Sequence, residues 1–195
     1  MIFTPLRLIT TILGLVVIGL PLAAFAFFLL AIVGSPGACD TQGRTVAFSP
    51  EAAGSFQGKW DQLNATLDAG QVSTIVVDES EATSRAQLWI EEHDAPISDL
   101  LLCFNTGGGS ASAKVDIPFF PGDVDVLVRG TLLLTGERPE AQIDDIEMGG
   151  LPGFLTDIAE RFVNRVIDDQ TEDIILTHDY GLAFGEGAAT ISGQP

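Results

Sequence analysis

In Asp123-Val124-Asp125-Val126-Leu127-Val128-Arg129, apolar and charged side chains alternate along the chain. A period of two is that of a strand, whose successive side chains point to opposite faces. Val124, Val126 and Val128 then face inward while Asp125 and Arg129 face water, the pattern of an antiparallel sheet with one wet face. This ribbon occupies 123–135, and segments 97–104, 111–120 and 140–148 suit strands as well. Gly107-Gly108-Gly109, Pro121-Gly122 and the stretch from Gly136 to Pro139 separate them as turns. Two more strands, 172–180 and 182–192, close the chain with Gly181 between them.

Helices fill the intervals. Phe56, Trp60, Leu63 and Leu67 recur at helical spacing over 50–69, where Gly70 can end the helix. The β-branched run Val72 to Val77 follows as a strand. Asp78-Glu79-Ser80-Glu81 then has the form of a capping box, with Asp78 as N-cap and Glu81 at the third position. The helix it opens runs to about Glu92, with Ala82, Ala86, Trp89 and Ile90 on one face. Over 152–168, Phe154, Leu155, Ile158, Phe162, Val163 and Val166 make an apolar stripe opposite Asp157, Glu160, Arg161 and Arg165. Strands and helices of this kind predict an α+β domain, an antiparallel sheet with two or three helices packed on one face.

The charge is unevenly spread. The 195 residues carry 27 acids against 9 Lys and Arg, yet the mean hydropathy is +0.33. All of the acids, and every base except Arg7, fall after residue 38. From Leu8 to Val33 the chain is Leu, Ile, Val, Phe, Ala and Gly, interrupted by Thr10, Thr11 and Pro21. A bilayer core takes about 20 apolar residues, so this run is long enough to cross once. It exceeds the apolar region of a cleavable signal peptide, about 7–15 residues. Arg7 before the span and Asp40 after it place the N-terminus in the cytoplasm and the domain outside. The expected organisation is a cytoplasmic N-terminus and anchor over 1–33, a linker over 34–49 and an extracytoplasmic domain over 50–195. So acidic a surface disfavours nucleic acid as a partner.

Cys103, within Leu100-Leu101-Leu102-Cys103-Phe104, reads as a buried core thiol. In an oxidising compartment the alternative is a disulfide to Cys39 that pins the stalk to the domain. Lipidation of Cys39 would call for Leu three positions back, where Pro36 stands.

Catalytic and metal-binding patterns are missing. His93 and His178 lie far apart, with no His-Glu-x-x-His, Cys-x-x-Cys, Gly-x-Ser-x-Gly or phosphate-binding Gly-Lys-Ser/Thr. The acidic run Asp168 to Asp173 lacks EF-hand spacing and reads as a solvated loop. No cofactor, metal or enzymatic activity is expected. Asn64-Ala65-Thr66 fits a glycosylation sequon, which matters where the source glycosylates. In Pro118-Phe119-Phe120-Pro121-Gly122, two adjacent rings at a strand end point to opposite faces. Either one is exposed at a groove mouth or toward lipid, or the segment is a turn with one Phe buried and the other packed under a helix.

The order of these pieces resembles the YpmS-like and LmeA-like groups of bacterial membrane-anchored domains. The resemblance rests on the N-terminal span, Val77-Asp78-Glu79-Ser80-Glu81-Ala82-Thr83-Ser84, Pro96-Ile97-Ser98-Asp99-Leu100, Gly136 to Ile143, and Ile146 to Pro152 before an amphipathic helix. It covers roughly residues 50–195, with Thr83 where the first motif commonly has Asn. These groups are similar in outline to tubular lipid-binding modules, in which a curved sheet wraps a long helix around an apolar groove. The resemblance implies binding of membrane lipid or another apolar molecule outside the cytoplasm. Phe154, Ile158, Phe162 and Val166 would face Val124, Val126 and Val128 across the groove, with Phe119 and Phe120 at its mouth. The alternative is a structural or accessory subunit that meets a membrane-protein partner through the span.

Overall fold

The computed structural model describes residues 36–116, 122–136, 139–149 and 176–195. The elements run α1 (Pro50–Asp68), β1 (Ser73–Asp78), α2 (Glu79–Glu92), β2 (Ile97–Asn105) and β3 (Gly108–Asp116). β4 (Asp123–Leu133), β5 (Glu140–Met148), β6 (Asp179–Gly185) and β7 (Ala188–Gln194) complete the order. Among the described residues this is an α+β arrangement of two helices and antiparallel strands. The predicted span at 8–33 and the predicted helix at 152–168 lie outside the described residues. Among those residues, no helix is long and apolar enough to cross a membrane.

The strands form two sheets rather than the expected single one: a four-stranded meander β2-β3-β4-β5 and a three-stranded sheet β1-β7-β6. The reason lies in the pairing of β1. It hydrogen-bonds to β7 over Ser73–Asp78, and α2 separates it in the chain from β2. The two sheets touch where Leu134 bridges to Tyr180. The last hairpin also departs from expectation. Gly181 lies inside β6, opposite Ser192, and the turn falls at Glu186-Gly187, where Gly187 takes φ +74°. A positive φ suits glycine at such a turn, and that preference separates Gly187 from Gly181.

Both helices begin as the sequence predicts. Ser49 caps α1 by accepting from the Ala52 N–H, and Pro50 stands in the first turn. At α2 the capping box is complete: Asp78 accepts from the Glu81 N–H at 2.8 Å, and Glu81 accepts from the Asp78 N–H at 3.0 Å. Such a cap is worth about 1 kcal/mol.

The main core lies between α1 and the three-stranded sheet and reaches β2 and the end of β4. Leu63, Leu67, Val77, Ala82, Phe104, Leu134, Tyr180, Ala189 and Ile191 are buried there, with Phe56 and Trp60 packed against them. Each large side chain fully buried contributes about 1.5–3 kcal/mol. Gly193 is needed because α1 closes so tightly on β7 that a Cβ there would overlap the Leu67 side chain.

A second apolar group sits on the opposite face of the four-stranded sheet. Cys39 and Cys103 are joined by a disulfide, and both pack with Leu127 and Leu101. This corrects the reading of Cys103 as a core thiol. The side chain is fully buried, but under the stalk rather than under a helix. It also accounts for Leu127, an apolar residue on the face that the alternation of β4 assigns to water.

Candidate functional site

The four-stranded sheet has one continuous apolar face. Cross-strand register places Val115 opposite Val124, Ala113 opposite Val126 and Ala111 opposite Val128. On the next strand Met148 stands opposite Val126 and Ile146 opposite Val128. Burial along this face is graded. Val115, Val124 and Val126 are 5%, 3% and 4% exposed, while Ala111, Val128, Ile146 and Met148 are half-buried. Beyond the half-buried end, Gly109 pairs with Gly130, and the Phe184 ring from the other sheet stands over Gly109 and against Phe104. The face is therefore buried at the Val115–Val124 end, more open at Ala111, Val128 and Ile146, and capped at Gly109 by the Phe184 ring. Of the residues expected to line a groove, β4 supplies Val124, Val126 and Val128 on this face. Phe119, Phe120, Phe154, Ile158, Phe162 and Val166 lie outside the described residues.

The opposite face is polar. Arg129 donates to Asp145 at 2.6 Å and to Glu147 at 2.5 Å, and Lys114 pairs with Asp99. These ion pairs are solvent-exposed and each worth little. An open groove of about 500 Å³ crosses this face between Gly37–Asp40 of the stalk and Ser110, Arg129 and Glu147 of the sheet. Donating to Glu147 and, less strongly, to Asp145 raises the Arg129 guanidinium above its ordinary value.

The least expected construction joins α2 to the free edge of β2. Glu79 Oε1 accepts from the Phe104 N–H at 2.7 Å, and Thr83 Oγ1 accepts from the Leu102 N–H at 3.0 Å. Gln87 Nε2 donates to the Leu100 carbonyl at 2.6 Å. Three side chains four residues apart thus meet alternate residues of the strand, where a neighbouring strand would otherwise pair. Glu79 and Thr83 are buried at 3% and 2% exposure, so these bonds replace water that cannot reach the edge. The apolar residues expected on one face of α2, Ala82, Ala86, Trp89 and Ile90, do not include this stripe, whose signal in the sequence is the polar series Glu79, Thr83, Gln87 at a spacing of four.

The same motif binds the rest of the chain. Arg44 of the stalk forks onto Glu79 at 2.8 and 3.0 Å and donates to the Phe104 carbonyl at 3.1 Å. Glu81 accepts from Lys59 and Ser55 of α1 at 2.6 Å each. Burial alone would push the Glu81 carboxyl up; the bonds from Lys59, Ser55 and the Asp78 N–H, with the Lys59 charge, hold it below its ordinary value. Ser80 and Ser84 accept from the Ala47 and Ser49 N–H groups. Every polar residue from Asp78 to Ser84 thus has a hydrogen-bond partner, and the motif ties α2 to the stalk, to α1 and to β2.

His93 is exposed, stacked on Trp89 and bonded to its carbonyl, and His178 pairs with Asp68 at 3.0 Å. The Asn64 carboxamide accepts from the Tyr180 hydroxyl. Among the described residues, no three of His, Cys, Asp and Glu converge on a point that could hold a metal ion. No family model, curated protein or solved structure matches this chain.

Proposed function

We propose that the chain is a single-pass, membrane-anchored extracytoplasmic domain that binds lipid or another apolar ligand against the inner face of its four-stranded sheet. The observation that carries this reading is the register of that face, which sets Val, Ala, Ile and Met side chains side by side across β3, β4 and β5. Apolar side chains so aligned suit an acyl chain, which needs length and apolar walls with few polar groups. The half-buried Val128 and Ile146 give such a chain an entry. The Cys39–Cys103 disulfide supports an oxidising compartment, and hence the domain outside the cytoplasm. The resemblance to membrane-anchored lipid-binding domains points the same way.

The test is native mass spectrometry of residues 36–195, made in an oxidising compartment and purified without detergent. Bound masses of phospholipid or another acyl species, lost in Val128→Asp, support the reading. A clean apo mass that is unchanged after incubation with lipid vesicles overturns it. The accessory-subunit alternative then takes precedence. Val72 and Val76, 69% and 52% exposed on and beside the edge strand β1, would be its natural contact.

A further inference from the structure

Residues 34–49 read from sequence as a linker, yet their described part is bolted to the domain. Cys39 is bonded to Cys103, and its N–H donates to Ser112 Oγ at 3.2 Å. Gln42 reaches Asn105 at 3.1 Å, Arg44 holds Glu79, and the N–H groups of Ala47 and Ser49 bind α2. Every one of these contacts lies on the polar face of the four-stranded sheet or on α2 at its edge. None lies on the apolar face.

The length of chain before Cys39 has a geometric consequence. The apolar run ends at Val33, and residues 34–39 fully extended reach at most about 20 Å. The domain is larger than that: α1 alone is 19 residues, or about 28 Å. So short a tether cannot pass around the domain to turn its far side to the membrane. Without the disulfide the first side-chain latch would be Gln42 on Asn105, and residues 34–42 reach about 30 Å.

We infer that the polar face of the four-stranded sheet, around the stalk groove, is the surface that meets the headgroup layer of the anchoring membrane, and that the disulfide holds the apolar face turned away from it. The inference rests on the anchored reading given above. The groove offers both signs of charge, Arg129 beside Asp40, Asp144 and Glu147, which suits zwitterionic headgroups better than an anionic surface. An apolar ligand on the inner face therefore exchanges with something on the far side of the domain, and not by dipping that face into the bilayer that holds the chain.

The experiment uses the full chain in phosphatidylcholine vesicles containing a spin-labelled-headgroup lipid. A dye is placed on Thr106→Cys, at the groove, or on Gln71→Cys, at the end of α1. The dye at 106 should be quenched on the order of twofold or more relative to that at 71, and inserting ten Gly/Ser residues between Ser35 and Pro36 should erase most of the difference, since reach then more than doubles. Equal quenching at the two sites, or a ratio unmoved by the insertion, overturns the inference. A ratio unmoved in the Cys39→Ser/Cys103→Ser chain removes the disulfide from it, and the insertion chain keeps the test open should that variant not fold. A chain that fails to float with vesicles refutes the anchor and this inference together. An intact quenching ratio with no bound lipid in the mass spectrum refutes the ligand alone.

Discussion

Replacing Thr83 by Val tests whether the edge of β2 depends on a helix side chain. The substitution keeps the shape and removes one acceptor, Oγ1, which takes the Leu102 N–H at 3.0 Å. Thr83 is 2% exposed, so water cannot take over, and the N–H is left unsatisfied at a cost of about 1–3 kcal/mol. At about 2–4 °C per kcal/mol for a domain of this size, the melting temperature should fall by about 2–12 °C. The assay is thermal and urea unfolding of the oxidised full chain in zwitterionic detergent, followed by near-UV dichroism and the fluorescence of Trp60 and Trp89. Thr83→Ser retains the acceptor and should recover most of the loss. Gln87→Met, at the half-buried end of the seam where water can reach the Leu100 carbonyl, should cost less than Thr83→Val. A Thr83→Val chain within about 0.5 kcal/mol of wild type, or a Gln87→Met chain equally damaged, would refute the reasoning.

Other perturbations have outcomes as definite. The lowered Glu81 carboxyl adds stability that is complete above its ordinary value of 4.5 and is lost as pH falls through its depressed pKa. The gap in urea midpoint between wild type and Glu81→Gln should therefore be constant near neutrality and shrink below pH 4.5. Gly193→Ala forces a methyl into the fully buried Leu67 and should cost about 1–3 kcal/mol in urea unfolding; Gly130→Ala, which meets the rigid Gln142 carbonyl, should cost more. Cutting the disulfide as Cys39→Ser/Cys103→Ser releases a loop with a sequence separation of 64, and loop entropy sets the loss at about 4 kcal/mol. A calorimetric melting point close to that of the oxidised chain would contradict it.

Much of the fold was legible because local signals and tertiary packing agree. The 3.6-residue recurrence of Phe56, Trp60, Leu63 and Leu67 gives α1 and its buried side, and the capping box gives the first residue of α2. The alternation in β4 assigns Val124 and Val126 to the inner face. What failed was decided at long range. Gly181 and Gly187 look alike to a pattern search, and only the pairing of β6 with β7 chooses the turn. One sheet and two sheets share the same strands, and nothing local says that β1 joins β7. The disulfide hid for a related reason: an apolar setting is also what a core thiol has, and the apolar neighbours of Cys103 include Leu127, which β4 turns outward.

The seam between α2 and β2 explains why the meander ends at β2. Four residues of helix advance about 6 Å, and two residues of strand about 6.7 Å. The two ladders stay in phase for a few steps and then drift apart. Three matched bonds, at 79, 83 and 87, are what such a mismatch permits. The next helical position is Glu91, exposed, and the next strand position is Ser98, where the β2–β3 register shifts before Leu101. The seam thus stops where the geometry runs out. Because α2 covers the edge with side chains, and the Gly187 N–H and Arg44 both donate to the Phe104 carbonyl, the edge is closed to a further strand. The polar series in Val77 to Ser84 is accordingly an edge closure.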